Sequence, residues 1–191
     1  MIDKEYLKRC IPIITLKKFE DTDKILSSLF KFGIPNAEIT CRTDCALQAI
    51  SYAVKAYPEM NIGAGTVLTK KQCKAALKAG AKFIVSPGLS EEVAKYCIKK
   101  GVPYYPGCVT ATEIMTAVNL GITTIKYFPS NFYGGLPAMK ALSGPFPQVK
   151  FIPTCGITAD NMREFLDWEK TYAVGASFFI KLALEANGES L

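Results

Sequence analysis

Two charged residues interrupt stretches of sequence that otherwise read as buried strands. Glu38 stands in AEIT (37–40), and Lys126 stands in ITTIKYFPS (122–130). A buried charge is strongly destabilising unless it is paired. Desolvation also favours the neutral form of a lysine amine, which can attack a carbonyl carbon and form a Schiff base. We therefore interpret Lys126 as a nucleophile and Glu38 as the group that moves protons beside it. A buried ion pair that fixes strand register is the alternative.

The chain contains no histidine, so the commonest general base is missing. Nucleophiles of the Ser-His-Asp and Cys-His kinds are excluded, as are mixed Cys/His metal sites. The seven cysteines are odd in number and form no C-x-x-C pair. We expect free thiols in a reducing compartment. Acid–base chemistry must then use Glu, Asp, Lys, Tyr or Cys.

The chain has a net charge of +6, from 23 lysines and arginines against 17 acidic residues. The lysines are scattered over helical stretches and are not interleaved with aromatic residues, so we expect no nucleic-acid partner. A basic balance suits an anionic small substrate. No apolar run approaches the length of a transmembrane helix, and MIDKEYLKRC (1–10) contains no signal-peptide core. We expect a cytoplasmic protein with no membrane partner.

Capped helices alternate with short apolar runs along the chain. A glycine just past a helix end accepts the left-handed conformation that closes the helix. Glycines in this position are Gly33, Gly80, Gly101 and Gly121. Candidate N-caps are Thr69, Ser90, Thr110 with Glu113 in capping-box spacing, and Thr158. The pattern predicts strands near 11–15, 36–40, 61–65, 82–86, 102–105, 122–128, 149–153 and 171–175. It predicts helices near 21–32, 44–57, 69–79, 90–99, 110–120, 134–143 and 158–167.

Alternating strands and helices indicate parallel strands, and eight strands favour a closed barrel over an open sheet. We predict an α/β fold, a (β/α)8 TIM barrel, in a single domain spanning residues 1–191. Repeats of this length also occur in solenoids, but the units share no motif. Few residues follow the eighth strand, so we expect a shortened C-terminal helix. A partner subunit could cover the barrel wall that this leaves exposed.

Active sites of such barrels lie at the carboxyl ends of the strands. Polar residues at or near the predicted strand ends are Glu38, Thr40, Arg42, Thr66, Ser86, Lys126, Thr154 and Ser177. The Arg42 guanidinium could hold a carboxylate in bidentate fashion, or it could form an ordinary salt bridge. The glycines of GAGTVL (63–68) allow either close approach of a ligand or a tight turn.

Small residues fill the loops after the last two strands, TCGIT (154–158) and VGASF (174–178). This is the common phosphate site of these barrels, where backbone N–H groups and a helix N-terminus face the anion. Ordinary turns are the alternative. Cys155 has no histidine to activate it, and we interpret it as a packed or loop thiol.

At these residues the sequence resembles the KDPG/KHG aldolase family, class I lyases that split 2-keto-3-deoxy-6-phosphogluconate. The resemblance covers about residues 10–180. The segments that carry it are AEITCRT (37–43), GAGTVL (63–68), VSPGL (85–89), YYPG (104–107), IKYFPS (125–130), GGLPAMKALSGPFPQVKFIPT (134–154) and the turn at Gly175 and Ser177.

The resemblance implies a role for each matched position. Lys126 would form the Schiff base, and Glu38 would be the general acid/base, acting through a water. The implied substrate-binding residues are Arg42 and Thr66 for the pyruvate carboxylate, Pro87 and Phe128 for the pocket shape, and Thr154, Gly156 and Ser177 for the distal part with its phosphate. The resemblance also implies a 2-keto acid substrate, no metal, no cofactor and a homotrimer.

Two positions depart from the family pattern, in which glycine is usual at Cys155 and frequent at Ala176. A β-carbon in these loops could block a backbone approach to phosphate. An aldolase for unphosphorylated 4-hydroxy-2-oxoglutarate, or for the galactonate epimer, is therefore an alternative. A barrel that binds a sugar phosphate or pyruvate without turnover is a second. A phosphosugar isomerase or epimerase would need paired acids or a histidine at the strand ends, which the chain lacks.

Overall fold

The chain alternates strands and helices in the predicted order. A computed structural model describes residues 3–190 of the protein. Its strands are Cys10–Ile14 (β1), Asn36–Thr40 (β2), Asn61–Gly65 (β3), Phe83–Val85 (β4), Tyr104–Tyr105 (β5), Thr124–Tyr127 (β6), Lys150–Pro153 (β7) and Val174–Ala176 (β8). Its α-helices are Lys4–Leu7 (α1), Asp21–Phe32 (α2), Ala46–Ala56 (α3), Lys70–Lys78 (α4), Glu91–Lys100 (α5), Ala111–Asn119 (α6), Gly135–Ser143 (α7), Met162–Leu166 (α8) and Phe178–Ala186 (α9). A 3-10 helix spans Ser130–Tyr133.

All strand pairs are parallel, as the alternation predicts. The strands form a six-stranded sheet in the order β5-β4-β3-β2-β1-β8 and a separate two-stranded ladder, β6-β7. Single bridges join these two groups on both sides, Gly107 with Lys126 on one and Thr154 with Gly175 on the other. The eight predicted strands are confirmed, whereas one continuous eight-stranded ladder is not observed in residues 3–190.

Prolines explain why only a single bridge connects the β5 side of the larger sheet with β6. Pro103 and Pro106 flank the two residues of β5, and proline has no N–H to donate to a ladder. The Pro106 carbonyl still accepts a 2.8 Å hydrogen bond from the Lys126 amide, and the Lys126 carbonyl accepts a 3.0 Å bond from Cys108. The strand that carries Lys126 is therefore attached by two bonds around this one residue to the segment that follows β5.

The helix ends follow the predicted chemistry, with one exception. Capping boxes form at Thr69 with Gln72 and at Thr110 with Glu113, and Ser90 caps α5. The prediction that Thr158 caps a helix is wrong. Its backbone N–H donates to the Asn161 side chain at 2.8 Å, which holds a turn, and α8 begins only at Met162.

The last helix, α9, has nine residues, in agreement with the short C-terminal helix predicted. It packs beside α2, where Asn187 donates a 3.2 Å hydrogen bond to the Ser28 carbonyl. Buried aliphatic and aromatic side chains from the strands and the inner helix faces form the main core. No helix within residues 3–190 has the length and apolarity needed to cross a membrane.

Candidate active site

The Lys126 ammonium and the Glu38 carboxylate lie side by side at the carboxyl end of the strands. The Nζ atom of Lys126, in β6, is 3.7 Å from Oε1 of Glu38, in β2. The two side chains are only 9% and 4% exposed. Nζ also lies 5.1 Å from the centroid of the Phe128 ring, a cation–π contact. The two charges that interrupted apolar strands in the sequence therefore meet in one buried site.

Gly65 makes the position of Glu38 possible. Glu38 pairs with Gly63 across the β2–β3 ladder, so Gly65 is its diagonal neighbour on the same face. A β-carbon on Gly65 would lie 1.9 Å from Oε1 of Glu38, and one on Gly63 would lie 2.2 Å from the Phe83 ring. The glycines of GAGTVL thus make room for protein side chains, a use that neither interpretation of this segment from the sequence included.

Arg42 lies two residues beyond β2 and is exposed. Its Nη2 donates a 3.1 Å hydrogen bond to Oγ1 of Thr15, which follows β1. Thr15 Oγ1 is in turn 2.9 Å from Oγ1 of Thr40. In the part of the chain that the structure describes, no carboxylate is paired with Arg42. The guanidinium is therefore oriented by a hydroxyl and keeps its charge uncompensated.

Among residues 3–190, two residues other than glycine adopt left-handed backbone conformations, and both lie in predicted substrate loops. Thr66 has φ of 56° and Cys155 has φ of 77°. Such conformations cost about 1–3 kcal/mol each and cluster at functional sites. Thr66 follows β3 directly and is the next residue after Gly65. Cys155 is the position at which glycine is usual in the family that the sequence resembles.

A cavity of about 380 Å³ opens at this end of the strands. Its lining comprises Ile13, Thr15, Arg42, Phe128, Thr154, Cys155, Gly156, Ile157, Gly175, Ala176 and Ser177. Five of the seven predicted substrate-binding residues are among them, whereas Thr66 and Pro87 are not. Phe128 connects the cavity to the buried pair, because its ring forms part of the wall and also contacts the Lys126 ammonium.

The loops predicted to hold phosphate lie together on one side of the cavity. Thr154 is buried, and its Oγ1 would be 2.5 Å from a β-carbon on Gly175. Gly156 has φ of 76°, and a β-carbon there would lie 2.5 Å from Cβ of Asn131. Ser177 directly precedes α9, and its side chain forms no capping bond. Its free hydroxyl stands at a helix N-terminus, a place that favours anions.

Two further predicted residues, Ser86 and Pro87, do not line this cavity. Ser86 donates its hydroxyl to the Val67 carbonyl inside the core. Pro87 lies against Gly107, where a β-carbon would be 2.0 Å from the Pro87 carbonyl oxygen. Thr15 was missed, although it is the last residue of the first predicted strand, 11–15, and directly follows β1 in the structure. The strand-end rule, applied to β1, would have found it.

All seven cysteines are free, as predicted. Burial raises the pKa of the Cys10 and Cys108 thiols to about 12 and that of Cys41 to about 11. Burial also raises the pKa of Cys97 and Cys73, whose sulfur atoms are 3.5 Å apart. None of these thiols is poised to act as a nucleophile at neutral pH.

Comparison with known proteins identifies one family. The family model described as "KDPG and KHG aldolase" matches residues 2–189. The 2-dehydro-3-deoxy-phosphogluconate aldolase of Treponema pallidum is 39% identical over 95% of this chain and 86% of its own length. The KHG/KDPG aldolase of Escherichia coli K12 is 38% identical over 92% of this chain and 83% of its own length.

Solved structures agree with this result. The KDPG aldolase of Legionella pneumophila, with pyruvate captured as a covalent carbinolamine intermediate, superposes with a TM-score of 0.89 at 36% identity, covering 96% of this chain and 90% of that one. The aldolase of Zymomonas mobilis ZM4 with 3-phosphoglycerate superposes with a TM-score of 0.88 at 33% identity, covering 98% and 94%.

Proposed function

Because this chain belongs to the KDPG and KHG aldolase family, we propose that it cleaves 2-keto-3-deoxy-6-phosphogluconate to pyruvate and glyceraldehyde 3-phosphate. It is a carbon–carbon lyase, and the chemistry is that of a class I aldolase. The observation that carries the proposal is the buried contact of 3.7 Å between Lys126 and Glu38 at the strand ends. A primary amine and a carboxylate so placed can form a Schiff base and move the protons that it requires.

The reaction begins when the Lys126 amine attacks the C2 ketone of the substrate. The product is a carbinolamine, the kind of adduct captured with pyruvate in the Legionella relative. Loss of water gives an iminium. Glu38 then accepts the C4 hydroxyl proton, the C3–C4 bond breaks, and its electron pair moves into the iminium to give an enamine. The aldehyde leaves. Protonation at C3 and hydrolysis release pyruvate and regenerate the amine.

Each remaining site residue has a proposed task. Arg42 and Thr66 hold the pyruvate carboxylate, and Arg42 has the unpaired guanidinium that this needs. Pro87 and Phe128 shape the pocket around the reacting carbons. Residues proposed for the distal end and its phosphate are Thr154, Gly156 and Ser177. The free hydroxyl of Ser177 at the start of α9 supports that assignment.

The test is trapping with pyruvate and borohydride, followed by intact and peptide mass spectrometry. We expect one reduced adduct on the peptide that contains Lys126, and none in Lys126→Ala. Lys140→Ala, which removes an exposed helical lysine, is the matched control and should trap normally. An adduct at another lysine would overturn the assignment of Lys126. No adduct in the wild type would favour a barrel that binds sugar phosphate or pyruvate without turnover.

A second candidate is cleavage of unphosphorylated 4-hydroxy-2-oxoglutarate or of the 6-phosphogalactonate epimer. The left-handed Cys155, which puts a side chain into the phosphate loop, favours the unphosphorylated substrate. Rates of cleavage of the phosphorylated and plain 2-keto acids show whether the substrate carries a phosphate. If kcat/KM is higher for the plain acid, the principal proposal is wrong about the substrate and right about the lysine.

We also propose that residues 1–191 form one domain in which the eight strands close into a (β/α)8 barrel. The two single bridges that join β6-β7 to the larger sheet support closure. A homotrimer is proposed from the family, and Phe132, which is 78% exposed in the 3-10 helix Ser130–Tyr133, supports burial by another subunit. The cytoplasm is the proposed location, since seven free cysteines suit a reducing compartment. Light scattering tests the trimer.

A further inference from the structure

Thr15 lies where the ends of β1 and β2 meet. Ile14 pairs with Ile39 in the parallel ladder, so the next residues along, Thr15 and Thr40, come to stand beside each other. Their hydroxyl oxygens are 2.9 Å apart. Thr40 is 1% exposed, whereas Thr15 is exposed and forms part of the cavity wall. The pair therefore runs from the core to the cavity.

Arg42 is attached to the outer end of this pair. A guanidinium only donates hydrogen bonds, so Thr15 Oγ1 is the acceptor of the 3.1 Å bond from Arg42 Nη2. The Thr15 hydroxyl also shares a hydrogen bond with Thr40, which holds its rotamer from the buried side. An exposed arginine side chain has several rotatable bonds, and this contact holds one nitrogen in place. The other N–H groups of Arg42 stay available.

We propose that Thr15 is a positioning residue: it orients the Arg42 guanidinium toward the carboxylate of the 2-keto acid, with Thr40 as its buried anchor. This inference rests on the proposed function, in which Arg42 binds that carboxylate. Thr15 has no reaction step of its own. Its loss weakens binding of the pyruvate portion, because Arg42 must then be ordered at the moment of binding.

The experiment compares Thr15→Val, which keeps the side-chain shape, with Thr15→Ser, which keeps the hydroxyl. We expect Thr15→Val to raise KM and the inhibition constant of pyruvate about fivefold, the size of one hydrogen bond. The kcat at saturating substrate should change less than about twofold, since Thr15 touches no reacting atom. Thr15→Ser should behave as the wild type. Thermal unfolding of each variant accounts for any change in stability.

A double-mutant cycle with Arg42→Ala separates positioning from a general structural effect. If Thr15 acts through Arg42, Thr15→Val adds nothing to the inhibition constant of pyruvate in the Arg42→Ala background. Additive effects would overturn the inference, and so would an unchanged pyruvate constant in Thr15→Val. Either result with a wild-type adduct on Lys126 leaves the proposed function intact. Absence of that adduct in the wild type would overturn both.

Discussion

The carboxylate of Glu38 occupies the space that a side chain on Gly65 would need. A β-carbon on Gly65 would lie 1.9 Å from Oε1 and 2.5 Å from Cδ of Glu38. Glu38 is itself almost fully buried, so it has little room to retreat. Its position opposite Lys126 therefore depends on a glycine in the next strand.

Gly65→Ala should displace Glu38 and slow the reaction without removing Lys126, the proposed nucleophile. We expect kcat to fall about 100-fold, as for a misplaced acid–base group, while pyruvate still traps on Lys126. Steady-state kinetics and borohydride trapping measure the two effects. Gly144→Ala is the control, because a β-carbon there meets its nearest neighbour at an ordinary 3.4 Å. A wild-type kcat in Gly65→Ala would show that Glu38 is not the essential base.

The contact between Glu38 and Lys126 should also be measurable as a coupling energy in the free energy of unfolding. Removing either partner leaves the other charge buried and alone, so Glu38→Gln and Lys126→Met should each lower the free energy of unfolding by about 1–3 kcal/mol. The double variant should lose about 1 kcal/mol less than the sum. Urea unfolding provides the values.

The pair Glu91 and Lys95 is the matched control for this cycle. Its atoms are closer, at 2.8 Å, but the side chains are 56% and 64% exposed. Solvent screening should make its coupling much smaller than that of the buried pair. Strictly additive losses for Glu38 and Lys126 would mean that 3.7 Å is too far for the two charges to stabilise each other.

Buried thiols predict a loss of stability in mild base. Burial raises the pKa of Cys10 and Cys108 to about 12, whereas the same thiols in the unfolded chain ionise near the ordinary value of 9. The folded state therefore holds protons that the unfolded state releases, and rising pH favours unfolding. Each thiol contributes a slope that approaches about 1.4 kcal/mol per pH unit above its unfolded pKa.

Urea unfolding at about pH 7.5, 8.5 and 9.5 measures this slope, below the range in which most tyrosines ionise. The free energy of unfolding should be flat over the first interval and fall over the second. Cys108→Ala removes one of the thiols and should reduce the fall. The same slope in Cys108→Ala as in the wild type would contradict the assignment of the effect to that thiol.

Much of the site could be predicted because it follows from local pattern and one topological rule. Alternating capped helices and apolar runs predicted eight parallel strands, and in parallel strands all carboxyl ends share one edge. That rule was enough to bring Glu38 of β2 and Lys126 of β6 together, although they are far apart in the sequence and in different ladders.

The rest depends on contacts that no local pattern encodes. The use of Gly65 follows from the diagonal neighbour that the β2–β3 register gives it. The hydrogen bond of Thr15 depends in the same way on the β1–β2 register. Near Thr158 the sequence offers two residues whose side chains can accept a backbone N–H, Thr158 and Asn161. Asn161 accepts the N–H of Thr158 and holds a turn, so the helix begins after Asn161. The short β5 reflects Pro103 and Pro106 on either side of it, because proline has no N–H to donate to a ladder.

Substitution of Cys155 tests both the backbone strain at this position and the preference for a phosphorylated substrate. With φ of 77° it pays for a conformation that glycine adopts freely. Cys155→Gly should therefore raise the free energy of unfolding by about 1 kcal/mol. This is the net of two effects: relief of backbone strain stabilises the folded state, and the greater freedom of glycine stabilises the unfolded chain. Cys155→Ala keeps the β-carbon and the strain, so it should show no gain. Urea unfolding compares the three proteins.

The same variant, Cys155→Gly, tests whether the loop around residue 155 binds phosphate, as we propose. Cys155 lies between Thr154 and Gly156 in the cavity wall, and removing its side chain lets an anion approach the backbone more closely. We expect Cys155→Gly to lower KM for the phosphorylated 2-keto acid about threefold or more, the size of a fraction of one hydrogen bond, and to leave KM for the plain acid unchanged. Equal effects on both substrates would mean that the loop does not contact the phosphate, and that Ser177 and the start of α9 must hold it without this turn.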